Sequence, residues 1–136
     1  MSETILVVDD EEDVVEVLRI RLLKQGYQVE VASNGFEGLE FVRHHPVDLI
    51  ILDIMMPVMD GTEMASRLRD DPATAHIPII FLSAIMERRD GGGAHSTVTF
   101  AKPFNAAELL AKVAEMLRQA SMAEVPLASS RQSRTG

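Results

Sequence analysis

The chain has 136 residues, 46% of them hydrophobic and 25% charged, which is one domain's worth of sequence with enough apolar content for a buried core. A formal net charge of −8 argues against direct nucleic-acid binding, which wants a basic face, and the absence of cysteine excludes disulfides and thiolate metal sites. The acidic start Met1-Ser2-Glu3-Thr4 lacks the parts of a signal peptide and no apolar run approaches the roughly 20 residues of a membrane helix, so a cytoplasmic location with no membrane partner is expected.

In chain order, residues 5–8 form a continuous Ile, Leu and Val run, which reads as a strand buried on both faces. Val14, Val17, Leu18 and Leu22 then recur three and four apart, predicting an amphipathic helix. The acidic Glu11-Glu12-Asp13 precedes or opens that helix, where its dipole favours negative charge, and Gly26 sits just past its end. Residues 29–32 read as a second strand and 36–42 as a second helix, stopped by Pro46. A third strand is predicted over 49–52, and a third helix over 61–68 with Asp60 as its N-cap. Residues 79–82 form a fourth apolar run, and Thr97–Ala101 a weaker fifth. Between those two lies Gly91-Gly92-Gly93, and each glycine costs about 1 kcal/mol inside a helix. Any helix over 86–96 is therefore expected to be short, irregular or disordered. Asn105 caps a last pattern with Leu109, Leu110, Val113 and Leu117 on one face. Residues 1–120 read as the domain and 121–136, which lack periodicity, as a flexible tail or truncated linker.

A βα unit repeated five times predicts a doubly wound α/β fold: a five-stranded parallel sheet with helices on both faces and right-handed crossovers. Ligands of such sheets bind beyond the carboxyl ends of the strands. There the sequence places Asp9-Asp10, Asp53, Ser83 and Lys102-Pro103. Two carboxylates about 4 Å apart repel by about 4 kcal/mol at an effective dielectric of 20, so a cation is the natural remedy. All the ligands are hard oxygens, which suits Mg²⁺. A carboxylate so placed can attack phosphorus to give an aspartyl-phosphate, with Lys102 and the Ser83 hydroxyl stabilising the transferring group. Singly, an acidic pair, a serine or a Lys-Pro after a strand is more often a cap or a loop. The ordered set over five units carries the signal.

Ile5-Leu6-Val7-Val8-Asp9-Asp10-Glu11 and the stretch 49–61, with Leu52-Asp53-Ile54-Met55-Met56-Pro57 at its centre, resemble the response-regulator receiver domains of two-component signalling. Pro78-Ile79-Ile80-Phe81-Leu82-Ser83-Ala84 and Lys102-Pro103-Phe104 continue the resemblance, which covers roughly residues 4–119. It implies a flavodoxin-like sheet of order 2-1-3-4-5, as in chemotaxis regulators. It also implies Asp53 as phosphoacceptor and a Mg²⁺ ion held by Asp9, Asp10, Asp53 and the Met55 backbone carbonyl, with Asp10 the more direct ligand. Ser83 stands where the family more often has threonine, Lys102 would contact first the acceptor and then the phosphoryl group, and the Lys102–Pro103 bond would be cis. The implied phosphodonor is a histidine kinase or histidine phosphotransfer protein. The implied output is a downstream protein, with a phosphorylation-dependent dimer as one form it can take. Such a protein promotes its own phosphotransfer and dephosphorylation and is a signalling switch rather than an enzyme acting on a separate substrate.

Two departures bear on the output surface around Ser83, Ala84, Thr99 and Phe100. The family's usual aromatic three positions before the lysine is Thr99 here, and Phe100 beside it would face the other side of the strand. Ser83 and Lys102 are also only 19 positions apart, shorter than the family's usual spacing. A haloacid-dehalogenase-type phosphatase would carry an acid where Met55 stands, and a flavodoxin a phosphate loop where Asp9-Asp10-Glu11 stands. The rival of another class is a pseudo-receiver, a phosphorylation-independent interaction module.

Overall fold

The runs of Ile, Val and Leu pair side by side in a parallel sheet of order β2-β1-β3-β4-β5. In this computed structural model the described residues are 2–84 and 97–131, with side chains described as far as Met122. The elements are β1 (Thr4–Val8), α1 (Glu12–Lys24), β2 (Gln28–Ala32), α2 (Gly35–His44), β3 (Leu49–Asp53), α3 (Gly61–Asp70), β4 (Ile79–Ser83), β5 (Thr97–Ala101) and α4 (Ala106–Arg131). Sheet order and strand positions are those expected. The expectation for residues 86–96 lies outside the described residues.

Because side chains alternate across a strand, the apolar runs feed two cores. Leu6, Val8, Ile50, Leu52 and Ile79 face α2 and α3, meeting Leu39, Val42, Met64 and Leu68. Ile5, Val7, Leu49, Ile51, Ile80 and Leu82 face α1 and α4, meeting Leu18, Leu22, Leu109 and Val113. Each such side chain contributes about 1.5–3 kcal/mol when fully buried. The central strands β1 and β3 are therefore fixed from both sides, and whatever follows them is held at the sheet's carboxyl rim.

Helix ends follow local chemistry. The side-chain oxygens of Asn34, Asp60 and Asn105 accept from the backbone N–H groups of Glu37, Glu63 and Glu108 at 2.9, 3.0 and 2.9 Å. Gly26 takes φ +95° just past α1, a left-handed conformation glycine adopts without steric cost. Two features depart from the sequence reading. Helix α4 runs on to Arg131, through residues 121–131, which carry no apolar periodicity and include Pro126. Arg69, which no motif marked, donates to the carbonyls of Ala75 and Ile77 at 2.6 and 2.8 Å and to Thr97 Oγ1 at 3.1 Å. It ties α3 to the approach to β4 and to the start of β5. Among the described residues no helix is long and apolar enough to cross a membrane.

Candidate functional site

Register decides what meets at the rim. Val8 lies opposite Leu52, Asp53 opposite Leu82, and Ser83 opposite Ala101. Asp9, Asp53, Ser83 and Lys102 consequently leave four neighbouring strands at one level, although they span most of the chain. Asp9 is 2% exposed and Asp53 3%, Ser83 is buried, and Asp10 is exposed.

The carboxylate oxygens of Asp9, Asp10 and Asp53 lie within 4.8 Å of one another. Asp9 Oδ1 accepts the Glu11 N–H at 2.9 Å, and Asp53 Oδ1 accepts the Met55 N–H at 3.3 Å. Lys102 donates its backbone N–H to the Ser83 carbonyl at 2.8 Å, and the Lys102–Pro103 bond is cis. Its ammonium nitrogen stands 3.2 Å from Asp9 Oδ2, 3.3 Å from Asp53 Oδ2 and 2.5 Å from Glu11 Oε1.

The loop after Asp53 folds back on the strand end. Ile54 N–H donates to Leu82 O and Gly61 N–H to Ile54 O, both at 2.9 Å. A Cβ at position 61 would stand 2.3 Å from the Asp53 carbonyl oxygen, so the close approach admits only glycine. Val58, at the tip of this loop, has φ 72°, an outlier for a β-branched residue.

Electrostatics at the site are one-sided. Burial, and then the charge of Asp9, push the Asp53 carboxyl up to about 6, with Lys102 pulling the other way. Burial alone would depress the Lys102 ammonium, but its hydrogen bond to Glu11 and the charges of Asp9 and Asp53 outweigh it and hold the group above its ordinary value. Three carboxylates contact one ammonium here, with Asp10 a fourth beside two of them, and the buried Asp9 Oδ2 has that ionic contact but no hydrogen bond. Hard oxygen donors, excess negative charge and a buried oxygen lacking a hydrogen bond fit a divalent cation of the Mg²⁺ type. The exposure of Asp10 leaves room for the waters such an ion keeps.

Of the remaining residues, Ala84 is exposed just past β4, and Met55 is 58% exposed beside the acceptor. Thr99 pairs with Phe81 and Phe100 with Leu82. Phe100 packs with the α1 and α4 core, while Phe81 packs on the opposite side of the sheet, as strand alternation requires. Glu11 is the residue that sequence reasoning left out of the site. It read as part of a helix start, and its meeting with Lys102, 91 positions away, carries no local signal.

An open parallel sheet with a carboxylate cluster and a lysine at its carboxyl rim defines a class of doubly wound α/β proteins whose chemistry sits at that rim. Within that class, the chain belongs to the response regulator receiver domain family, which it matches over residues 5–114. It is 38% identical over 123 residues to the response regulator GtcR of Aneurinibacillus migulanus, covering 88% of this chain and 50% of that protein. It is 40% identical over 132 residues to the response regulator MprA of Mycobacterium sp. (strain KMS), covering 93% and 55%. The chain thus spans about half the length of these curated relatives.

Among solved structures it resembles the response regulator TrrA of Thermotoga maritima in complex with Mg²⁺ and BeF, with TM-score 0.73, 36% identity and coverage of 83% of this chain and 97% of that one. It likewise resembles the chemotaxis response regulator CheY4 of Vibrio cholerae, with TM-score 0.76, 29% identity and coverage of 86% and 99%. The domain is a signalling module of the two-component type, and family membership supports phosphorylation-dependent signalling.

Proposed function

We propose that this domain is a cytoplasmic switch that takes a phosphoryl group onto Asp53 from a phosphohistidine, on a sensor kinase or a phosphotransfer protein, and so changes a surface read by a downstream protein. One observation carries the reading: the buried Asp53 carboxylate stands within 4.8 Å of the Asp9 and Asp10 oxygens and 3.3 Å from the Lys102 ammonium.

Above a pH of about 6 Asp53 is ionised, the form that attacks. One of its oxygens bonds to phosphorus as the P–N bond to the donor imidazole breaks, and the imidazole leaves with that electron pair. Lys102, already in contact with the acceptor, offers its charge to the phosphoryl oxygens. Mg²⁺, when bound, neutralises charge on the transferring group; Asp9, Asp10, Asp53 and the Met55 carbonyl are its proposed ligands. Ser83 ends the strand beside Asp53, and its hydroxyl would donate to the new phosphoryl group. Ala84, Thr99 and Phe100 would then carry the change outward.

Incubation with Mg²⁺ and acetyl phosphate, followed by intact mass measurement, tests the reading. A single phosphoryl adduct that needs Mg²⁺ and is missing from Asp53→Asn is the expected result. No adduct, together with no Mg²⁺-dependent binding of beryllofluoride, would instead make the domain a pseudo-receiver acting by contact.

A further inference from the structure

We infer that Glu11 is a positioning residue that restrains Lys102, so that an incoming phosphoryl group has to win the lysine from it. The inference rests on the function proposed above and adds a regulatory element to the same site.

Three carboxylates share the Lys102 ammonium, and they differ in kind. The side chains of Asp9 and Asp53 are 0% and 4% exposed, whereas that of Glu11 is 57% exposed. The first two are held by the strand ends; the third sits on the exposed start of α1 yet makes the shortest contact, 2.5 Å. Glu11 occupies the N-cap position of α1 but gives no side-chain hydrogen bond to its helix. At α2, α3 and α4 the residue in that place does cap. The Glu11 carboxylate is thus directed to Lys102 and not to its own helix. Among the described residues the pair also borders an open groove of about 500 Å³ lined by Val14, Ala84, Pro103 and Phe104, onto which the Glu11 side chain can turn.

Charge bookkeeping gives the direction of the effect. A divalent cation shared by the aspartates offsets their pull on Lys102 and leaves Glu11 as the lysine's main partner. Phosphoryl oxygens must then displace Glu11 from Lys102 and enter against its negative charge. Removing the Glu11 charge frees the lysine, and the site takes an anion more readily. Because partly exposed ion pairs couple weakly, the gain is about two- to five-fold.

The test measures beryllofluoride affinity of the full chain at saturating Mg²⁺ by titration calorimetry, for wild type, Glu11→Gln, Glu12→Gln and the same changes combined with Lys102→Ala. Glu11→Gln should tighten binding about two- to five-fold, Glu12→Gln should leave it unchanged, and the gain should vanish without Lys102. An independent readout is the NMR shift of the Lys102 ε-methylene, which should move in Glu11→Gln and stay in Glu12→Gln. Equal or weaker binding in Glu11→Gln, an equal gain in Glu12→Gln, or an unmoved Lys102 resonance overturns the restraint while leaving the phosphoacceptor reading standing. Absence of Mg²⁺-dependent binding in the wild type would overturn both, and so separates the two failures.

Discussion

Asp53→Asn should make the metal-free protein more stable at neutral pH, even though it removes a partner of Lys102. An acid held at about 6 in place of the ordinary 3.8 carries a penalty of about 3 kcal/mol once ionised, at roughly 1.36 kcal/mol per tenfold change in acidity. The folded state keeps the Asp53 proton up to about 6, while the unfolded chain releases it near 3.8. Between those values the folded state binds more protons, so stability falls as pH rises, and the full penalty stands above about 6. Asparagine imitates the protonated form at every pH. Urea unfolding in EDTA at pH 7.5 should therefore place the variant up to about 3 kcal/mol above wild type, a midpoint shift of up to about 1.5 M for a slope near 2 kcal/mol/M. The gap should narrow as pH falls toward 4. Mg²⁺ should narrow it at pH 7.5, since an ion that binds the folded state stabilises the wild type by mass action. A variant no more stable than wild type at pH 7.5, or a gap indifferent to pH, would refute the reasoning.

Two further substitutions probe the loop that carries Asp53. Val58→Asn should stabilise the fold by about 1 kcal/mol in thermal unfolding, because Val58 is 81% exposed at φ 72° and asparagine tolerates that conformation; a loss of stability would show that the valine is held there by contacts. Gly61→Ala forces a Cβ to within 2.3 Å of the Asp53 carbonyl unless the backbone moves. It should cost about 1–3 kcal/mol in urea unfolding and weaken Mg²⁺ binding by displacing Asp53. Retained stability and metal affinity would contradict the close packing.

How much of this was legible depends on how local each signal is. The runs around Leu6, Ile50 and Ile80 lack polar alternation, which marks strands buried on both faces, and Asp60 and Asn105 announce their helices as caps do. Asp9, Asp53, Ser83 and Lys102 could be gathered from sequence because each directly ends a strand, and parallel strands bring such ends to one rim. Glu11 could not, since its contact with Lys102 depends on where a side chain from the far edge of the sheet reaches. Gly61 was visible as a helix start, but its packing against the Asp53 carbonyl is a matter of loop path. Arg69 likewise looked like one more charge on a polar helix face, until the fold put two carbonyls and Thr97 around it.

The most direct test of the account is to trap the acceptor. The protein would be phosphorylated with acetyl phosphate and Mg²⁺, then reduced with borohydride, which converts an aspartyl-phosphate to homoserine, and the modified position read by peptide mass spectrometry. Homoserine at position 53 alone, and none when EDTA replaces Mg²⁺, is the predicted result. Homoserine at another aspartate, or trapping at Asp53 that does not need the metal, would contradict the assignment of Asp53 and its carboxylate neighbours as a cation-assisted phosphoacceptor site.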